Sequence, residues 1–369
     1  MRRTTVGRTL RRGVAWVRAA VARVRSRGTG ITHQHDTERF AIGTALGSRV
    51  LRASAVAATL TCASRGVQAQ VGSTGALFLL QPSGGRGTGM GDAVVADTLG
   101  IESHWWNPAG LARQSKTEVM AQGWRNFFFT TTAVGIAKPS KRIGTVAASL
   151  TFMDLGTQPS VDDAGNEQGQ LFFRNWIAAA SYATTVARRV DVGLTYRFFQ
   201  TRIDCSGACV VPVSSSSSSA VDVGVRYTTS TTLPIALGAS VINIGPSFQV
   251  NDQEQSDPLP TAFDAGATVG VPAVTRRAKD LRLRIGTSVR VPVASEGLGV
   301  SLRTGGELLW QDRASLRLGY TYQRGAGGAP TVGFGVKVER LILDFSVRQD
   351  AVARATSQPT TFVSLRFVR

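Results

Sequence analysis

Residues Ala220–Thr228 read AVDVGVRYT, which sets Val221, Val223, Val225 and Tyr227 on one face of a strand and Asp222, Gly224, Arg226 and Thr228 on the other. The same two-residue period returns in segment after segment. Val190, Val192, Leu194, Tyr196 and Phe198 alternate with Arg189, Asp191, Gly193, Thr195 and Arg197. Leu281, Leu283, Ile285, Val289 and Val291 alternate with Arg282, Arg284, Gly286, Ser288 and Arg290, and Leu316, Leu318, Tyr320 and Tyr322 with Arg317, Gly319, Thr321 and Gln323. Val332–Val338 and Leu341–Val347 repeat the pattern, broken only at Ile342. A soluble sandwich and an outer-membrane barrel both carry one apolar and one polar face, so periodicity alone does not choose between them.

The connections choose. Fourteen strands are read between residues 117 and 367, from 117–124 to 358–367, with the sixth at 220–228. Links after even-numbered strands are short, as at Lys138–Lys141, Thr184–Arg188, Gln311–Arg313 and Glu339–Arg340. Most links after odd-numbered strands are long, as at Leu155–Glu167, Asp204–Ser219 and Ile244–Thr261. Tight periplasmic turns alternating with longer outer loops are the habit of bacterial barrels, whereas a sandwich has no reason to sort loops by parity. The fold expected is all-β: an antiparallel transmembrane β-barrel of about 14 strands (117–369), preceded by an N-terminal hatch or plug (70–116). No apolar run after the leader reaches the roughly 18 residues of a transmembrane helix.

The first 69 residues read as a leader. Arg49 and Arg52 precede the apolar run Ala53–Ala63 and the small-residue site Val67-Gln68-Ala69, the form of a secretory signal peptide cleaved after Ala69. The Arg-rich stretch upstream is too long for an n-region and is read as an over-extended start, with a basic amphipathic helix as the alternative. Residues 1–69 hold 13 Lys and Arg against 2 Asp and Glu, so +11 of the formal +18 belongs to the leader and the high pI gives no support to nucleic-acid binding.

Three cysteines are present, and Cys62 falls in the leader. Cys205 and Cys209, in the sequence CSGAC, are expected to close a disulfide in an oxidising compartment; two free thiols are the alternative, and no second ligand pair exists for a metal. The six-serine run Ser214–Ser219 beside them is expected to be a solvated loop tip. No cofactor is expected.

Gly84–Arg113, GGRGTGMGDAVVADTLGIESHWWNPAGLAR, does not alternate. Its glycines, including Gly87, Gly89 and Gly91, permit tight backbone and close approach. Ala93–Leu99 is expected to form a short helical turn, and Pro108 to hold Asn107 extended or in a turn. Irregular backbone at membrane depth is tolerable only inside protein or a wet cavity, which places this piece in a barrel lumen as a plug; a periplasmic cap is the alternative. The glycine spacing is not G-x-G-x-x-G. His104 is the only histidine after the leader, and no Ser-His-Asp set, HExxH or nucleophile elbow accompanies it, so an enzyme is not expected.

The opening Gly89-Met90-Gly91-Asp92-Ala93, then WNPAG at Trp106, Asn107, Pro108, Ala109 and Gly110, resembles the N-terminal region of the PorV/PorQ family of outer-membrane proteins, related to the FadL-type long-chain fatty acid channels with their Asn-Pro-Ala hatch motif. The resemblance continues through DVGVRY (222–227), LGASVINIGP (237–246) and PLPTAFDAGATVG (258–270) and covers most of the chain from about Gly84. It implies a bacterial outer-membrane barrel, in contact with outer-membrane lipid and built by the barrel assembly machinery, that serves protein secretion or surface export by receiving exported cargo. A FadL-like passive channel for fatty acids or other hydrophobic small molecules is the alternative, and a structural surface barrel without transport a third. By parity, Arg189, Arg197, Arg226, Arg282, Arg284, Arg290 and Arg317 point into the lumen and would make it basic, suited to a carboxylate or anionic headgroup. Phe199 should also point inward, while Trp124, Phe127–Phe129, Phe172, Phe173, Trp176, Phe198 and Trp310 are candidates for aromatic girdles. Val368 and Arg369 follow Phe367, where barrels usually end on an aromatic residue.

Overall fold

The computed structural model describes residues 74–162, 164–209, 213–229, 233–249, 256–293 and 298–369. The leader, its cleavage after Ala69 and the start of the hatch at residue 70 lie outside the described residues. The wall comprises β1 (Glu118–Arg125), β2 (Thr130–Ser140), β3 (Gly144–Val161), β4 (Glu167–Ala187), β5 (Val190–Gly207), β6 (Ser214–Thr228) and β7 (Ile235–Ile244). It continues through β8 (Ala262–Gly270), β9 (Leu281–Pro292), β10 (Ser301–Trp310), β11 (Ala314–Gln323), β12 (Gly327–Val338), β13 (Leu341–Arg348) and β14 (Thr360–Val368). Among the described residues four short α-helices accompany it: α1 (Gly85–Gly89), α2 (Ser103–Trp106), α3 (Pro272–Arg277) and α4 (Ala351–Thr356).

Each strand pairs antiparallel with its neighbours in sequence, and β1 closes on β14 with Glu118 opposite Val368 and Arg125 opposite Thr361. Closure removes the unpaired edges that hydrocarbon cannot solvate. The two-residue period sorts side chains inside out relative to a soluble protein. Leu194, Val223, Val225, Leu316, Leu318 and Phe334 are exposed on the outer face, while Thr195, Asp222 and Arg317 are buried within. Among the described residues no helix is long and apolar enough to cross a membrane; the crossing is made by strands.

Strands β3–β6 run 18, 21, 18 and 15 residues. Their neighbours stop short: the register of β2 reaches only Asp154 of β3, and that of β7 only Val221 of β6. One side of the wall therefore projects beyond the rest at the outer end. The serines Ser214–Ser219 belong to this projection. Expected as a loop tip, they form the first turnless part of β6 and pair with Ile203–Phe198 of β5. Above the lipid neither face needs to be apolar, so a strand there carries no alternating signal. Cys205, near the end of β5, and Cys209 in the loop that follows are joined as a disulfide.

Candidate functional site

The segment from Thr74 to Thr117 threads the lumen from the outer loops to the periplasmic end. Gly75 N–H donates to Pro258 O in the β7–β8 loop (3.0 Å), and Ala76, Leu79, Phe199, Ala220, Phe248 and Leu259 form an apolar cluster beneath that loop. Phe199 is fully buried there, edge-on to Phe78 (ring centroids 5.6 Å apart) and tilted against Phe248 (5.4 Å). At the other end Arg113 pairs with Asp191 (2.8 Å), and Thr117 N–H donates to Arg369 O (3.1 Å) just before β1 begins. Ala93–Leu99, expected as a helical turn, runs instead as non-helical turns: Val94 O accepts from Asp97 N–H (2.9 Å), Val95 O from Asn107 Nδ2 and Ala96 O from Arg226.

The hatch is held by its backbone. Gly193, Gly224, Gly238, Gly286, Gly305 and Gly319 face inward on β5, β6, β7, β9, β10 and β11, and a Cβ at any of them would strike a hatch atom: Pro108, Asn107, Val95, Ala93, Met90 and Gly91 respectively. The wall thus lacks side chains where the plug lies against it. Gly91 (φ +61°) itself sits against Tyr320 N and Thr304 O, and its carbonyl accepts from Thr321 Oγ1 (2.8 Å). Gly89 packs on Arg317 and Gly333, with its carbonyl accepting from Thr331 Oγ1 (3.2 Å). Thr88 and Ser346 share a hydroxyl hydrogen bond of 2.6 Å.

Asn107 is the hinge point of this seat. It is extended (φ −149°, ψ 107°), fully buried, and caps the 3-10 turn Pro108–Arg113 by accepting Ala109 N–H at its Oδ1 (3.1 Å). Its Nδ2 donates to Val95 O in the hatch (2.7 Å) and to Val225 O in β6 (3.2 Å), so one side chain ties two hatch segments to the wall. Trp106 Nε1 donates to Ser83 O (3.1 Å). Pro108, Ala109 and Gly110 are buried, Gly110 against Ser103 and Asp97 where a Cβ has no room. His104, in α2, presents one ring nitrogen to Ser149 and the other to Ser181, with no carboxylate bonded to the ring. The imidazole is a strut between hatch and wall.

Charged groups complete the seat. On the β9–β14 side Arg86 of α1 forks onto Glu307 (3.0 and 2.8 Å), Arg317 bridges Glu307 and Asp344 (2.8 Å each), Arg366 reaches Asp344 (2.8 Å) and Arg284 reaches Asp97 (2.8 Å). Glu102 accepts the N–H of Gly87 (3.0 Å) and lies with these groups, giving four guanidiniums and four carboxylates. On the opposite side Arg226 pairs with Asp191 (3.0 Å) and donates to Ala96 O (2.8 Å), and Arg197 pairs with Asp222. Buried ions need such partners.

The lumen is therefore not a free basic lining. Arg197, Arg226, Arg284, Arg290 and Arg317 do face inward, but each is engaged by a carboxylate, Arg290 by Asp264 (2.6 Å). Arg189 is corrected: it sits exposed in the β4–β5 turn, because β5 begins one residue later at Val190. Arg282 is corrected as well, its side chain 65% exposed at the periplasmic rim beside Asp312 (3.1 Å). The partners Asp97, Glu102, Glu307 and Asp344 and the seating glycines were missed. The glycines left one trace, a recurrent Gly at inward positions where Ser or Thr would serve a wet lumen equally well.

Above the hatch, toward the outer loops, is a cavity of about 110 Å³. Leu80, Pro82 and Trp106 supply apolar wall, and Arg290, Arg303 and Arg348 supply charge. Asp264 and Asp92 answer them, with Arg303 the more distant from Asp264 at 3.7 Å.

No curated protein matches this chain. Among solved structures it is similar to the Ralstonia pickettii toluene transporter TbuX (12% identity, 79% of this chain and 99% of that one, TM-score 0.48). It is likewise similar to the CymD monoaromatic hydrocarbon channel (12%, 78% and 98%, 0.49) and to a Pseudomonas aeruginosa FadL homologue (10%, 77% and 98%, 0.44). Residues 64–274 match the model of the family described as Type IX secretion system protein PorV, more than half of the sequence, and the chain belongs to that outer-membrane family.

Proposed function

We propose that this protein is a plugged outer-membrane barrel of the type IX secretion route that receives exported protein at its outer face and does not conduct polypeptide through its lumen. The observation that carries this reading is the seat of the hatch. On six strands between β5 and β11 the plug lies so close to wall glycines that a Cβ at any of them would strike it. The one-sided projection of β3–β6 supports an outer docking surface raised above the membrane. A second reading, passage of a small hydrophobic molecule, draws on the cavity above the hatch, where apolar side chains meet guanidiniums.

Native mass spectrometry with lipid extraction on the barrel purified from outer membranes separates the two. An exported protein bound in stoichiometric amount, with no small molecule in the lumen, is the expected result. A copurifying acyl chain or hydrocarbon with no protein would overturn the first reading in favour of the second.

A further inference from the structure

The periplasmic end of the barrel carries an excess of exposed positive charge. Three of its turns hold adjacent basic pairs: Lys141–Arg142 between β2 and β3, Arg188–Arg189 between β4 and β5, and Arg276–Arg277 in α3 between β8 and β9. All six residues are exposed, and among the described residues none has a carboxylate within ion-pair distance. The exposed acids in these turns are Asp280, Asp312 and Glu339, of which Asp312 is engaged by Arg282. The turns after β10 and β12 add Arg313 and, beside Glu339, Arg340, while the turn between β6 and β7 has no basic residue; the charge is spread over well-separated turns rather than gathered on one flank.

Its depth is marked independently by outward-facing aromatic residues near the same ends of the strands. Tyr182 of β4 donates its hydroxyl to Ile143 O, next to Lys141–Arg142. Tyr227 of β6 lies opposite Val190, which follows Arg188–Arg189, and Trp310 closes β10 three residues before Arg313. Tyr and Trp on the lipid face settle at the headgroup boundary. Basic side chains one turn further out stand at the level of the lipid phosphates, where attraction acts within about 8–10 Å at physiological salt.

We infer that these basic turns bind the anionic headgroups of the periplasmic phospholipid leaflet, holding an annulus enriched in acidic lipid around the barrel. An acidic protein partner would call for a one-sided patch; basic pairs on well-separated turns at phosphate depth suit a leaflet. Phosphatidylglycerol is the probe.

The full-length barrel is placed in nanodiscs of phosphatidylethanolamine with a minor share of phosphatidylglycerol, washed with mild detergent, and its retained lipids read by native mass spectrometry. Phosphatidylglycerol is expected several-fold above its bulk share. Replacing all six residues with Gln removes that enrichment, while a control carrying Arg125→Gln and Arg324→Gln at the outer end keeps it. If the sixfold variant does not give a heat-modifiable barrel, the three pairwise variants each lose part of the enrichment. Retention at the bulk ratio in the unmodified protein, enrichment that survives the substitutions, or enrichment lost in the outer control would overturn the inference. So would photocrosslinking from position 142, in cells, to an acidic periplasmic protein instead of lipid.

Discussion

Gly224→Ala probes the seat of the hatch with a single methyl group. The new Cβ would overlap Asn107 Oδ1 and lie 3.0 Å from Asn107 Cγ and 3.2 Å from Pro108 Cδ, all in buried surroundings that cannot shift freely. Overpacking of this kind costs about 1–3 kcal/mol. If Asn107 yields, it gives up its bonds to Ala109 N, Val95 O and Val225 O, each worth about 1 kcal/mol. A weakening of about 3 kcal/mol raises the undocked fraction of the plug roughly 100-fold. The strand hydrogen bonds are untouched, so the barrel itself should stay folded and heat-modifiable. Planar-bilayer recording reads the effect as frequent openings that the unmodified protein lacks. Asn107→Ala alone should open the channel too, through the lost bonds. In the double variant the methyl meets no Oδ1, so the two effects should fall short of their sum by about 1 kcal/mol or more. A Gly224→Ala barrel as silent as the parent, or strict additivity in the double variant, would refute the reasoning.

Glu307→Gln leaves Arg86 and Arg317 buried without their shared carboxylate and should destabilise the docked hatch by about 3–5 kcal/mol, seen as rapid proteolysis within residues 84–113. Asp312→Asn, at the exposed rim beside Arg282, should change stability by less than about 1 kcal/mol in the same assay. Phe199→Ala empties the centre of the outer apolar cluster; a loss of about 3–5 kcal/mol should expose Leu77–Leu80 and the β7–β8 loop to protease while the strands resist. Cys205→Ser should lower stability by no more than about 2 kcal/mol, the low end for a disulfide because it closes a ring of only a few residues, and should free Cys209 for alkylation.

The wall was legible because lipid imposes a strict demand on every outward position, and Val221, Val223, Val225 and Tyr227 meet it in a pattern no loop would sustain. The demand stops at the membrane surface. Ser214–Ser219 lie beyond it and look like linker in the sequence, although they pair along β5 as regularly as any strand. The hatch was legible as an irregular piece in need of shelter, and Pro108 announced the extended backbone of Asn107. What Asn107 touches was not legible, since Val95 and Val225 are brought to it by the folded chain alone. The same limit explains the misread lumen. Parity gave the direction of the inward arginines, but their carboxylates come from other strands and from the hatch itself, as with Arg284 and Asp97, 187 residues apart.

The central claim is that the hatch sits inside the barrel, docked on the wall. Thr88 of α1 and Ser346 of β13 hold their hydroxyls 2.6 Å apart across that contact. A Thr88→Cys, Ser346→Cys variant, isolated from membranes under oxidising conditions and mapped by peptide mass spectrometry, tests it most directly. Near-complete cross-linking between the two peptides, with the barrel still heat-modifiable, is the predicted result. Free thiols at both positions in a folded barrel would contradict the account.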